Sequence, residues 1–527
     1  MKNRNDTMPG APAIHHDASR RLFMRQASAL SLVAGAGAPL ALNLLAAGSA
    51  AAQTASDYRA IVCLFMFGGN DSFNTVLATD SASWSAYAAM RGQSGSSIGL
   101  LPAGTLPNLS ASAGSPARLG GVLPINPTNP QGRTYALHPL LGSLQSMFDT
   151  ERRLAVVANV GPLVTPTTKP QYNQASHPRP PRLFSHNDQQ SIWQTMMPEG
   201  ATQGWGGRIA DAVAASNTQA VFTAISVSGS AVWLSGQTVR QYQVSGAGAL
   251  RLGADVNIAV YGSTTVASAL ANIVRSTRGS HVLEADVAAV SDRSIAAESI
   301  LRSALRPASD PAFGTPPASG SYNPTADPKL QFLNPLNGNY EFSPLAQQLQ
   351  AVARLVQAGV SGASGVKRQV FFVSLGGFDT HSSQNQGHAS LMARVAHAMR
   401  YFDTALGAIG ARNNVTTFTA SDFGRTFTSN GDGTDHGWGA HQFVMGGAVR
   451  GGDLYGSFPT LVAKSSSSSE FDSPDQVRNG ALLPSTSVDQ LGATLGRWFG
   501  LTDAQALTVF PNLANFSSGV RNLGFVA

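Results

Sequence analysis

The sequence contains a single cysteine, Cys63, in 527 residues. An intramolecular disulfide is therefore excluded, and so is a structural zinc site built on thiolates. Packing has to hold the fold together. Charge is scarce as well, with Asp, Glu, Lys and Arg making up 12% of the chain, which is low for a cytosolic protein and compatible with export. Residues 1–52 hold Lys2, Arg4, Arg20, Arg21 and Arg25 against Asp6 and Asp17, leaving 30 of 35 basic and 27 of 29 acidic residues in the remainder. No basic stripe interleaved with aromatics is found there, which argues against nucleic acid as a partner. Past the N-terminal segment no stretch approaches about 18 consecutive strongly apolar residues, so the mature chain is expected not to span a membrane. A G-x-S-x-G elbow, a P-loop and a dinucleotide fingerprint are also missing.

Glycine and proline are plentiful, at 54 and 29 residues, and imply many loops. The 43% of hydrophobic residues is enough for a large core. Length alone is compatible with two to four domains or with one large α/β enzyme.

The N-terminus carries an export pattern. Ser19-Arg20-Arg21-Leu22-Phe23-Met24-Arg25 is followed by an apolar stretch from Ala27 to Ala47 and by small residues at Ala50-Ala51-Ala52. This order matches a twin-arginine signal peptide over residues 1–52. It implies the twin-arginine translocase as a partner during export and a periplasmic or secreted destination. A chance arginine pair ahead of a membrane anchor is the alternative.

The rest of the chain is organised around Thr416–Gly447. Val415–Thr419 reads as a buried strand that releases Asp422 at its C-terminal end; a polar loop then brings Asp435, His436 and His441, and Phe443–Met445 reads as the next strand. Ala60–Phe67 and Arg368–Leu375 are near-continuous apolar runs, the pattern of central strands buried on both faces. Each is followed by a glycine pair and an aspartate, Asp71 in one case and Asp379 with His381 in the other. Carboxylates and imidazoles at strand ends suit a hard or borderline metal, and that edge of an open α/β sheet is where ligands bind. Asp71 alone also reads as a helix cap. Ser185 reads as the N-cap of a helix, with Asp188 completing a cap-like arrangement; the same position would stabilise a nucleophile or a phosphate oxygen. His138, His177, His186 and His397 read as cap, loop or surface residues.

Elsewhere the patterns predict helices from Leu137 to Phe148, from Trp205, over Phe342–Gly359, over Leu391–Leu406 and over Val488–Leu501. Residues 267–306 predict a helical hairpin. Strands are predicted over Arg153–Val160 and Ala220–Val227. Trp84–Pro130, Pro307–Asn339 and Ser465–Ser469 read as loops.

The motifs FGGND-SFNTV (67–76), ALHPLLGSL (136–144), LAVVANVGPL (154–163), SHNDQQSIWQT (185–195), GGFDTH (376–381), SDFGRT (421–426) and GTDHGWGAHQFVMGGAVRGG (433–452) resemble the bacterial family called domain of unknown function 1501. That family is placed by similarity in the alkaline phosphatase-like superfamily. The resemblance covers nearly the whole mature chain. It implies one three-layer α/β/α domain over residues 53–527, with a central, mostly parallel sheet and insertions near 84–130 and 240–340. It also implies that Asp71, Asp379, His381, Asp422 and His436 bind metal. Two departures stand out. Phe423 occupies the place where the superfamily usually has a histidine, and no C/S-x-P-x-R sulfatase motif marks a nucleophile. Ser185 matches the nucleophile by position, and Ser72 is a weaker candidate.

The expected protein is an exported metal-dependent hydrolase of phosphate or sulfate esters, using one or two divalent ions (zinc, manganese, calcium or iron). Its substrate would be a small ester or a polysaccharide. Arg425 would clamp a substrate oxygen or form an exposed salt bridge. The alternative is a catalytically silent periplasmic binding or assembly factor that keeps the fold.

Overall fold

Arg59–Phe67 sits in the middle of the main sheet because its residues are apolar on both faces. Ala60, Val62, Leu64 and Met66 enter one core, and Ile61, Cys63 and Phe65 enter the other. A strand hydrophobic in both directions is stable only between two covering layers. The first core is completed by helices Pro344–Val360 and Gln384–Ala408. The second is completed by helices Trp205–Val213 and Val488–Phe499. The computed structural model describes residues 58–92, 97–246, 248–249, 262–276, 282–465 and 470–527. The expected export signal at residues 1–52 lies outside the described residues, as does Ser465–Ser469 beyond its first serine.

The protein is an α/β structure with a large mixed, mostly parallel sheet. Arg59–Phe67 pairs in parallel with Arg368–Gly376 on one side and Val415–Ser421 on the other, with Phe67 opposite Gly376 and Met66 opposite Ser421. Ala224–Ser226 extends the sheet in parallel beyond Arg368–Gly376. On the other side Ala440–Met445 returns antiparallel beside Val415–Ser421, and Leu154–Gly161 is antiparallel to it in turn. This return has a direct consequence for function. Residues 422–439 leave and re-enter the sheet at one edge, the same edge at which the other two central strands end. Among the described residues no helix is long and apolar enough to cross a membrane.

Several local expectations need correction. The expected loop from Trp84 begins inside a helix, Ser81–Arg91, capped by Asp80, whose side chain accepts from Ser83 N at 3.1 Å. That helix buries Ala86, Tyr87 and Arg91. The helix expected from Leu137 starts later, at Gly142; Tyr135–Leu137 is instead the centre of a small antiparallel sheet with Val76–Ala78 and Leu123–Ile125. The strand expected over Ala220–Val227 is a 3-10 turn, Ala220–Phe222, followed by only Ala224–Ser226. Residues 267–306 do form two packed helices, Thr264–Arg275 and Val282–Ala304.

The glycine pair after the first strand has a steric purpose. Gly68 and Gly69 have φ of +115° and +87°, in the region that glycine enters at no steric cost. A Cβ on Gly68 would stand 2.3 Å from the Asp379 backbone nitrogen, and one on Gly69 would stand 2.5 Å from the Phe423 ring. The two glycines thus allow the Asp379 and Phe423 segments to close over the first strand's end. Gly69→Ala is expected to lose about 1–3 kcal/mol of stability by this clash and strain, measured as a shift of the denaturation midpoint. In the double variant Gly69→Ala/Phe423→Ala the loss should be smaller than the sum of the two single losses, because the clash partner is gone.

Candidate metal centre

Three side chains converge at the carboxyl edge of the sheet. His186, Asp379 and His436 each offer a ligand atom, and these atoms lie within 4.8 Å of one another. Asp379 follows the Arg368–Gly376 strand, His436 comes from the loop after Val415–Ser421, and His186 is the first residue of helix His186–Thr195. His186 Nε2 is 3.4 Å from Asp379 Oδ2, and His436 Nε2 is 3.4 Å from Asp379 Oδ1.

Both imidazoles have their tautomer set by a second contact. His186 Nδ1 is 2.7 Å from Asp422 Oδ2, and His436 Nδ1 is 2.7 Å from the Phe184 carbonyl. A carbonyl or carboxylate oxygen accepts, so each Nδ1 carries the proton and each Nε2 turns a lone pair to the triad. This is the outer-shell arrangement of metal-ligating histidines. His186 Nε2 is buried without a hydrogen-bond partner, so an electrophile at this point would satisfy it. The donor set fits a divalent ion. Two imidazoles and one carboxylate suit zinc, manganese or iron better than calcium, which takes oxygen ligands.

The electrostatics act unequally on the three groups, and a metal ion would have to displace the proton that the Asp422 hydrogen bond favours on His186. The hydrogen bond to Asp422 raises His186 above the ordinary histidine range against the effect of burial. Burial lowers His436, only partly offset by the Phe184 carbonyl, which keeps it neutral and able to ligate near pH 7. Burial works against the charged form of Asp379, but the hydrogen bond and charge of Arg425 outweigh it and hold the carboxyl below its usual range.

The other residues expected at the site fall into distinct places. Asp422 is fully buried and stands behind His186; its Oδ2 also accepts from Gln190 Nε2 at 2.7 Å and Gly68 N at 3.1 Å. It supports a ligand rather than joining the triad. His381 borders the triad, with Nε2 2.9 Å from His436 Nε2 and 3.0 Å from Asp379 Oδ1. Asp71 is not brought to the triad. Its carboxylate is sealed in the core against Arg91 at 2.5 Å and Gln384 at 2.5 Å. Arg425 is neither exposed nor open to a substrate: its donors go to Asp379 Oδ1 at 2.8 Å, the Gly68 carbonyl at 3.2 Å, and the hydroxyl and carbonyl of Thr434. It orients Asp379. Ser185 is the N-cap by position, but its hydroxyl bonds Asp188 Oδ2 at 3.0 Å instead of capping a backbone amide. Ser72 is fully buried. His441 accepts from Asn159 N at 3.1 Å and stacks on Phe458, and burial pushes it down to about 3; it is a core residue.

His186 is the residue that sequence reasoning set aside. His186 reaches the site from another element and packs beside Phe423. The His186 ring lies 4.8 Å from Phe423 and 4.3 Å from His436. The available signal was its position at a helix start next to Ser185.

The fold and site define an α/β protein with a candidate metal centre at the carboxyl edge of its sheet. The family described as "Protein of unknown function (DUF1501)" matches residues 58–510, and the chain belongs to that family. No curated protein matches it. Two of the distantly similar solved structures serve as examples. One is described as "Crystal structure of Ps i-CgsB in complex with k-i-k-neocarrahexaose", with 10% identity, 87% of this chain and 77% of that chain covered, and a TM-score of 0.31. The other comes from work on the metabolism of multiple glycosaminoglycans by Bacteroides thetaiotaomicron, with 9% identity, 85% and 74% covered, and a TM-score of 0.31.

Elemental mass spectrometry of the purified chain should find one divalent ion that is lost in His186→Ala and retained in Asp71→Ala. Asp71→Ala should instead lower stability by about 3–5 kcal/mol, because it strands the buried Arg91 charge. Loss of the ion in Asp71→Ala without loss of stability would return Asp71 to the ligand set.

Proposed function

We propose that this protein is an exported metal-dependent hydrolase of phosphate or sulfate esters. The observation that carries the proposal is the convergence of His186 Nε2, His436 Nε2 and the Asp379 carboxylate, each held by its own outer partner. A divalent ion bound there would supply Lewis acidity toward an ester oxygen and activate a hydroxyl or water near neutral pH.

The chain's own residues do the rest. Asp422 and the Phe184 carbonyl orient the two imidazoles. Arg425, buried beneath Asp379, keeps that carboxylate ionised and fixed. His381, half-exposed beside His436, is placed to exchange a proton with a leaving group or a water. Ser185 stands at the start of a ten-residue helix, whose free N–H groups favour an anion. Its Oγ donates to Asp188 Oδ2, so the carboxylate can take the hydroxyl proton as the oxygen attacks. In this reading Ser185 is the nucleophile. The Phe423 ring, 4.6 Å from His436 and 4.8 Å from His186, takes up the space where a second set of ligands would stand, which favours one ion over two.

The test is turnover of phosphate and sulfate monoesters by the metal-loaded protein. His186→Ala should abolish both metal and turnover. Asp422→Asn should retain the fold and lose about 10–100-fold in metal affinity or rate, the range for outer-shell partners. Full turnover in His186→Ala would overturn the assignment. A metal-loaded chain that binds its ion and turns over no ester would favour the binding or assembly role.

A further inference from the structure

A cavity of about 550 Å³ has Lys169, Arg179 and Arg478 on its wall together with Asn173, Gln476 and Asn479. The three cations are spent on neutral acceptors. Lys169 Nζ donates to the carbonyls of Phe471 and Ser473. Arg179 donates to the Tyr172 carbonyl at 2.6 Å and lies 5.3 Å over the Tyr172 ring. Arg478 lies 4.8 Å over the Phe184 ring. Among the described residues none of the three is joined to a carboxylate, and Glu470 is the one acidic residue on the wall. Three like charges around one cavity repel, and an anion with several oxygens would relieve that repulsion through charge-assisted hydrogen bonds.

The cavity is coupled to the centre through one residue. Phe184 carries Arg478 on its ring and holds His436 Nδ1 with its carbonyl. Arg478 and Asn479 have φ of +28° and +35°, a conformation that costs energy for residues with a Cβ. The turn is kept by Thr428, whose N–H and hydroxyl donate to the Asn479 carbonyl at 3.2 Å and 2.9 Å. The wall is amide-rich and has no open stacking face: Tyr172 is covered by Arg179, and Phe471 is buried. Sugar hydroxyls suit such a lining; nucleobases, which bind by stacking on aromatic faces, do not.

We propose that this cavity is a binding site for the acidic groups of an anionic oligosaccharide chain that reaches toward the metal centre. The substrate class this implies, a polyanionic saccharide rather than a small isolated ester, rests on the hydrolase reading; the binding site itself does not.

Calorimetric titration of the full chain with a sulfated dextran hexasaccharide, and with the same hexasaccharide unsulfated, tests it. The sulfated probe should bind, more weakly as salt rises, and the neutral one should not. Arg179→Gln/Arg478→Gln should weaken binding at least about tenfold, as loss of charge-assisted contacts requires. His186→Ala, which removes the metal centre, should bind the probe as the native chain does. Unchanged affinity in the double variant, equal binding of the neutral probe, or tighter binding of a single-stranded deoxyribonucleotide hexamer would each overturn the proposal. Arg179→Gln alone should raise KM for a sulfated oligosaccharide ester. Salt-dependent binding of the sulfated probe, with no ester turned over by the native chain, would sink the hydrolase reading and leave the saccharide site standing.

Discussion

Asp422 is withdrawn from water completely, and much of the site follows from the need to satisfy it there. A buried carboxylate is tolerated only when it is well paired or hydrogen-bonded. Its Oδ2 accepts from the Gly68 amide, the Gln190 side chain and His186 Nδ1, while its Oδ1 is buried with no hydrogen-bond partner among the described residues. These donors come from the turn after the first strand and from helix His186–Thr195. One carboxylate therefore ties that helix to two central strands and sets the tautomer of a candidate metal ligand. The chemistry at His186 Nε2 depends on a group that never meets the solvent.

A second buried carboxylate does similar work without touching the site. Asp71 binds Arg91 and Gln384, the Gln384 side-chain Oε1 accepts from Thr434 Oγ1 at 2.7 Å, Thr434 Oγ1 accepts from Arg425 Nε at 3.2 Å, and Arg425 holds Asp379. This unbroken polar chain runs from the core to a candidate ligand. It gives the aspartate after the first strand a structural reason to exist, and it places the positive charge of Arg425 where the ionised form of Asp379 needs it.

Parts of the site were legible in the chain. Two apolar runs ending in glycine pairs and aspartates, and a third ending in Asp422, pointed to one sheet edge, and the parallel register of the three strands puts them there. His436 was legible for the same reason, since its loop leaves and re-enters at that edge. His186 was not, because nothing local distinguishes a ligand from an ordinary residue at a helix start. Its role comes from Asp422, 236 residues away in the chain. Asp71 and Arg425 misled for the opposite reason: their residue types suit a site, but partners distant in sequence or hidden by the turn consume them. The helix Ser81–Arg91 was lost within a region whose average composition is that of a loop, although Asp80 marks its start.

Short-range physics is thus what the sequence determined unaided. Apolar periodicity specified the central strands and the main helices, glycine pairs specified the turns, and motif order specified the family. The choice among carboxylates and imidazoles was made only by the tertiary structure. Ligand geometry requires atoms within a few ångströms, and burial with pairing decides which charged groups remain available. Both are properties of three-dimensional neighbours, which the linear order of residues does not contain.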